Sequence, residues 1–263
     1  MSYIKDNKIA WEEAFEKRRK GWGENHWKVL SEQSLPFFNN DVKAELKEMD
    51  LEGKTIAQFC CNNGRELLSA MQLKPAYGFG FDIADNFIAQ ARQIAIKLNQ
   101  TNCEFVSCDI LDIDKSYNNK FDLIFFTIGA ITWLKDLNLL FTKVKECLKE
   151  NGKVLINDFH PFMNMLAMVG EDDYDSDNLN KITYSYFKKV PWIENKGIGY
   201  ITPEYDSKPF TSFSHTLSDI LNALINSGIM IRKFNEYDYD VGMSDDYEGT
   251  GFPLSFILVG EKK

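Results

Sequence analysis

Apolar positions along the chain change period several times, and the changes divide it into elements. From Asp6 to Lys20 the residues Ile9, Trp11, Ala14 and Phe15 fall on one side of a helix, which Gly21 ends. Gly21 to Trp27 then reads as a loop crowded with aromatic side chains. A second helix follows over about Val42 to Met49, closed by the turn Glu52-Gly53-Lys54. Beyond it, short apolar runs alternate with helical patterns. Strands are predicted at Thr55 to Cys60, Tyr77 to Phe81, Cys103 to Ser107, Phe121 to Thr127 and Lys153 to Asp158, and helices at Arg65 to Leu73, Asn86 to Asn99 and Asp136 to Leu148. This alternation implies right-handed crossovers and a doubly wound α/β arrangement, a parallel sheet covered on both faces.

The pattern breaks after His160-Pro161. Residues 162–214 hold an acidic loop, Glu171 to Asp177, and then an aromatic-rich stretch; they read as an insertion with short strands near Ile182 to Lys188 and Ile198 to Thr202. Thr216 to Ser227 is again a helix, with Asp219 three residues after a capping Thr216 and Gly228 as its stop. Two last strands, Ile229 to Tyr237 and Leu254 to Glu261, have no helix between them and should pair antiparallel at the sheet edge. The expected organisation is a helical arm or lid over 1–50, a ligand-binding core over 51–161, a lid-like insertion over 162–214, and a closing helix and strand pair of the core over 215–263.

Charge narrows the partners. A net charge of −9 repels a polyanion unless positive charge gathers on one face. The basic cluster Lys17-Arg18-Arg19-Lys20 follows Glu12, Glu13 and Glu16 on one helix and reads as a solvated helix end. No stretch approaches the roughly 20 apolar residues of a membrane span, and Met1 to Ala10 lack the apolar run of a signal peptide, so a cytoplasmic protein is expected. Five cysteines at irregular spacings make no disulfide framework, and with three histidines no metal site is expected.

Ligands of an open α/β sheet bind beyond the carboxyl ends of the strands, so the residues after each strand carry the chemistry. The first such turn is Gln58-Phe59-Cys60-Cys61-Asn62-Asn63-Gly64-Arg65-Glu66. Cys60 and Gly64 are small, and Asn62 and Asn63 tolerate a left-handed backbone. The second strand ends in Asp82-Ile83, where a carboxylate can accept both ribose hydroxyls of an adenosine. The competing reading is a cap for the next helix, for which Asp85 is better placed. The third strand ends in Cys108-Asp109-Ile110, with Asp109 set to accept from an adenine amino group and Ile110 to pack on the ring. The fourth ends in Thr127-Ile128-Gly129-Ala130, with Trp133 a turn later, and the fifth in Asp158-Phe159-His160-Pro161. Together these stops at one sheet edge form a pocket.

With these residues the chain resembles the class I S-adenosylmethionine-dependent methyltransferases, from about Gly53 to Phe162 and again in the closing helix and strand pair. The resemblance implies a seven-stranded, mostly parallel Rossmann-like sheet with an antiparallel final strand pair, and S-adenosyl-L-methionine as cofactor. The family's first turn is glycine-rich and follows an acidic residue; the matching positions here are Gln58, Cys60, Asn62 and Gly64, of which only the last is glycine. Gln58 thus offers a hydrogen bond but no charge to the ammonium group of the cofactor. Asn63-Gly64-Arg65-Glu66 and Phe159-His160-Pro161 are similar to a small-molecule subgroup. By this resemblance Asp82 holds the ribose, Cys108, Asp109 and Ile110 the adenine, and Thr127 with Ile128 the methionine side; Cys61 and Ile83 complete the expected cofactor set.

A nicotinamide dehydrogenase of this architecture would need a Gly-x-Gly-x-x-Gly turn to reach a pyrophosphate, and the turn lacks it. Enzymes that methylate base amines carry an Asp/Asn-Pro-Pro-aromatic stretch where this chain has Thr127-Ile128-Gly129-Ala130. A small-molecule acceptor is therefore expected, with a catalytically inactive cofactor-binding sensor or assembly protein as the alternative. If the acceptor must lose a proton, His160 is the candidate base, against a reading as a cap or core hydrogen bonder. Trp11, Trp22, His26 and Trp27, with Trp133 beside them, are the expected acceptor lid; packing of arm on insertion, or a dimer interface, is the competing reading.

Overall fold

In the computed structural model, which describes residues 2–263, helix α1 (Ser2–Glu16), α2 (His26–Glu32) and α3 (Asn40–Glu48) precede the sheet. The core then runs β1 (Thr55–Phe59), α4 (Arg65–Ala70), β2 (Tyr77–Asp82), α5 (Asp85–Lys97), β3 (Cys103–Ser107), β4 (Phe121–Phe126), α6 (Leu137–Cys147) and β5 (Leu148–Phe159). A hairpin of β6 (Trp192–Glu194) and β7 (Phe210–Ser212) lies in the insertion, and α7 (Leu217–Ser227), β8 (Ile229–Tyr237) and β9 (Ser255–Lys262) close the chain.

The seven-stranded sheet has the order β3-β2-β1-β4-β5-β9-β8. β1 to β5 are parallel, and β9 enters between β5 and β8, antiparallel to both. The last two strands do pair antiparallel, but β9 lies inside the sheet and β8 alone forms the edge. The strand order reverses between β1 and β4, so a crevice opens above their carboxyl ends.

Successive strand residues serve opposite faces. Ile56, Leu123, Phe125, Leu155 and Ile257 pack under α3, α4 and α5, whereas Ala57, Ile124, Phe126, Ile156 and Phe256 pack under α6 and α7. That double coverage is why these strands read as nearly unbroken apolar runs. Thr216 and Asp219 form the expected reciprocal cap on α7, and Gly228 (φ 79°) ends it left-handed.

The flanks depart from the sequence expectation. α1 ends at Glu16: the Lys17 amide still reaches the Glu13 carbonyl (2.9 Å), the Arg18 guanidinium donates to the Phe15 carbonyl (2.7 Å), and the Arg19 amide leaves the helix for the Ile201 carbonyl (2.9 Å). Part of the basic cluster therefore fastens the arm to the insertion rather than facing only water. His26 to Glu32, expected to begin as loop, is a two-turn helix too short to show a period. Ile182 to Lys188 and Ile198 to Thr202 are not strands. The first exposes its apolar members (Phe187 is 71% exposed), and the second is a turn closed by the Thr202 amide on the Ile198 carbonyl. Among the described residues no helix is long and apolar enough to cross a membrane.

Candidate active site above the parallel strands

The turn after β1 builds the floor of the crevice. Cys60 (φ 55°) and Asn62 (φ 50°) are left-handed, a conformation that costs a non-glycine residue about 1 kcal/mol or more. The surroundings over-determine it. The Cys61 amide donates to the Phe81 carbonyl (2.9 Å), the Asn62 amide to Asp82 Oδ2 (2.7 Å), the Asn63 amide to Asn62 Oδ1 (2.7 Å), and the Gly64 amide to the Cys61 carbonyl (2.8 Å). Buried Asn63 donates to Gln90 Oε1 (3.0 Å) and lies 3.2 Å from His26 Nδ1, which ties the turn to α5 and to the arm.

Asp82, half-buried at the tip of β2, accepts from the Asn62 amide through Oδ2 and from the Ala84 amide through Oδ1 (3.0 Å). Burial raises its pKa, partly offset by these amides. Ala84 is the capping position of α5; Asp85 is its first residue and bonds Ser107 and Lys8 instead of capping. At the tip of β3, Asp109 Oδ1 accepts from the Leu111 amide (2.9 Å), and burial raises its pKa as well. Gln58 is engaged at both ends: Oε1 accepts from the Leu67 amide (3.0 Å) and Nε2 donates to Thr127 Oγ1 (3.0 Å), joining β1, α4 and the end of β4.

These groups surround a cavity of about 400 Å³. Of the residues singled out from sequence, Gln58, Cys60, Cys61, Asn62, Asp82, Ile83, Cys108, Asp109, Ile110, Thr127 and Ile128 line it, and so do Trp11, Trp22 and Trp133. The tryptophans also pack on the arm and insertion. Trp11 meets Trp133 and Phe87 edge-on at 5.1 and 5.8 Å, so the roof is at once cavity wall and internal core.

Four expected residues lie elsewhere. Gly64 (φ 72°) is a packing position: a Cβ there would run into the Phe105 ring. His26 sits behind the turn against Phe37, and burial with nearby Arg65 pushes its pKa down to about 4, so it is a neutral partner of Asn63. Trp27 borders a separate surface groove with Gln93 and Lys97. His160 is buried outside the cavity: Nδ1 accepts from the Phe162 amide (3.0 Å), and Nε2 lies 2.9 Å from Glu236 Oε1 without hydrogen-bond geometry. Pro161 opens a 3₁₀ turn that His160 caps, which carries the ring away from the cleft, so the expected base is a structural cap.

The cavity also takes in residues the sequence reading passed over. Tyr3, Ile4 and Asn7 share a face of α1 with Trp11, a spacing visible only if the helix starts before Asp6. Arg65 and Glu66 stood inside the quoted turn. Tyr200 leans in from the insertion, its hydroxyl accepting from Asn62 Nδ2 (3.2 Å), and Val241 and Gly242 come from the β8–β9 loop; nothing in their local sequence marks them. None of the three histidines lines the cavity, and among the described residues no cluster of three or more His, Cys, Asp or Glu is arranged to hold a metal.

The sequence profile described as "Methyltransferase domain" matches residues 52–197, more than half of the chain. The chain belongs to this methyltransferase family. The description of the matched family names methyl transfer and no acceptor. The chain is 26% identical over 154 residues to a tRNA U34 carboxymethyltransferase of Campylobacter lari, covering 59% of this chain and 47% of that protein. It is 31% identical over 108 residues to malonyl-[acyl-carrier protein] O-methyltransferase 2 of Coxiella burnetii, covering 41% and 42%. The chain thus spans less than half the length of these curated relatives. Its fold matches a crystal structure described as a putative S-adenosylmethionine dependent methyltransferase from Listeria monocytogenes with a TM-score of 0.64 at 18% identity, over 84% of this chain and 97% of that one.

One buried acid of the chain stands apart from the cavity. Asp158, 1% exposed at the end of β5, accepts from the Gly129 and Phe159 amides (2.6 and 2.8 Å) through Oδ1, while Oδ2 has no partner. Loss of solvation outweighs the amides and pushes its pKa up from 3.8 to about 7. The folded chain therefore keeps a proton that the unfolded chain has released, and stability falls as pH rises through the window from 3.8 to about 7. Melting wild type and Asp158→Asn at pH 5 and pH 8 should show a smaller drop between the two pH values for the variant; equal drops would rule the linkage out.

Proposed function

We propose that the chain transfers the methyl group of S-adenosylmethionine to a small-molecule acceptor. The observation that carries this reading is the Asp82 carboxylate, held by two backbone amides at the tip of β2 and lining a cavity of about 400 Å³ beside Asp109 and Ile110. A cavity of this size suits a single nucleoside-like ligand. Asp82 would take the ribose hydroxyls, Asp109 the adenine amino group, Ile83 and Ile110 the faces of the ring, and Thr127 with Ile128 the methionine side. The lining holds the acids Glu66, Asp82 and Asp109 against the single base Arg65, an excess that favours a cationic sulfonium and disfavours a pyrophosphate.

When bound, the cofactor supplies an electrophilic methyl group, and an acceptor lone pair displaces the neutral thioether. The protein's part is to orient and to exclude water. Trp11, Trp22, Trp133 and Tyr200 close the cavity with aromatic faces, which stabilise positive charge while shedding solvent. With no histidine in the lining, this reading assigns no imidazole base and fits an acceptor that is already nucleophilic.

The net charge of −9 supports a small acceptor over a nucleic acid, although one relative's name refers to tRNA. The test is titration calorimetry with S-adenosylhomocysteine, followed by mass spectrometry of a metabolite mixture and bulk tRNA incubated with S-adenosylmethionine. Binding and a methylated metabolite are expected. Absence of heat overturns the cofactor, methylation confined to tRNA overturns the acceptor class, and binding without any transfer leaves a cofactor sensor.

A further inference from the structure

Gln58 stands where the family pattern has an acid, and its two ends are committed to Leu67 and Thr127. Buried and engaged at both ends, Gln58 brings no negative charge to an ammonium group. A cofactor with an amino-acid end brings one ammonium and one carboxylate, and each must be met once water is shed. Among the described lining residues, the charges not already placed at the tips of β2 and β3 are those of Arg65 and Glu66.

These two are neighbours in sequence and in space. Arg65 Nε donates to Glu66 Oε1 (2.7 Å), and the Glu66 side chain is 8% exposed against 33% for Arg65. The guanidinium lies 5.3 Å from the centre of the Phe37 ring, which helps to fix its plane. The contact to Glu66 uses only Nε. The two terminal nitrogens of Arg65 make no hydrogen bond among the described residues, and they form the fork that grips a carboxylate with two parallel bonds. Glu66 Oε2 likewise makes none, and it supplies the negative charge that Gln58 lacks. An ion pair held this way is a ready complement for a zwitterion, cation to carboxylate and carboxylate to cation.

We infer that Arg65 and Glu66 clamp the amino-acid end of the cofactor, the guanidinium on its α-carboxylate and the Glu66 carboxylate on its α-ammonium. The inference rests on the cofactor reading above. It explains how the site dispenses with an acid at position 58: the charge has moved to the start of α4, eight residues on in sequence.

Calorimetry with two ligands separates this from a purely structural ion pair. S-adenosylhomocysteine carries the amino-acid end, and 5′-methylthioadenosine has the same adenosine and sulfur without it. Arg65→Gln and Glu66→Gln should each weaken S-adenosylhomocysteine roughly tenfold or more, leaving methylthioadenosine within about twofold. The analogue of S-adenosylhomocysteine without the amino group should be indifferent to Glu66→Gln yet still weakened by Arg65→Gln. Arg65→Lys, which keeps the charge and loses the fork, should fall between wild type and Arg65→Gln and covers the case in which the neutral variant fails to fold. Parallel loss of both ligands, or unchanged affinity for S-adenosylhomocysteine, overturns the clamp. A wild-type protein that binds methylthioadenosine and S-adenosylhomocysteine equally well overturns the clamp but leaves the cofactor reading standing, whereas one that binds neither removes both.

Discussion

Asp82→Asn should weaken S-adenosylhomocysteine by roughly tenfold to a hundredfold, the cost of two charge-assisted hydrogen bonds reduced to neutral ones. The carboxylate is positioned for this task before any ligand arrives, because the Asn62 and Ala84 amides each hold one of its oxygens. The same amides complicate a plain affinity measurement, since the asparagine keeps only one acceptor and the turn after β1 loosens. An analogue lacking the 2′- and 3′-hydroxyls removes the ambiguity. Wild type should prefer the natural ligand to this analogue, and Asp82→Asn should have lost most of that preference. If the substitution weakens both ligands to the same extent, Asp82 acts on the turn and not on the sugar.

The second large effect concerns the floor of the cleft. Gly64→Ala should destabilise the fold by about 3 kcal/mol, combining the cost of a left-handed alanine with overpacking against Phe105 and Ala91. Gly53 gives the matched control: its φ is also 72°, but a Cβ there meets nothing within 4 Å, so Gly53→Ala should cost only about 1 kcal/mol. Urea unfolding of the two variants reads the difference directly. Equal losses would mean that the backbone conformation sets the cost and that β3 and α5 yield to the added methyl group.

The parallel core was legible because both of its faces are covered, which leaves strands as unbroken apolar runs and helices as amphipathic stretches of ordinary length. β3 and β8 fall where the pattern put them. The stops after the strands were legible for a topological reason: in such a sheet the carboxyl ends share an edge whatever the side chains are, so Asp82, Asp109 and Thr127 had to meet. What failed was local. α2 is too short for periodicity to show, and the insertion strands were assigned to one exposed apolar run and one buried turn, whereas pairing went to Trp192–Glu194 and Phe210–Ser212. For His160 the structure favours the cap reading, because strand-end position says nothing of side-chain direction, which the Phe162 amide fixes at Nδ1. Arg65 and Glu66 were read as part of a motif, and their charges were not weighed against the missing acid at position 58.

The clasp between Asn7 and Thr211 has a temporal side. Asn7 donates to the Thr211 carbonyl and accepts from its amide at 2.8 and 2.7 Å, joining residues 204 positions apart. A contact across so long a stretch of chain forms late, after the sheet has brought both ends near each other. During synthesis the crevice therefore stands uncovered at least until the β6–β7 hairpin has emerged, well after the arm that it fastens.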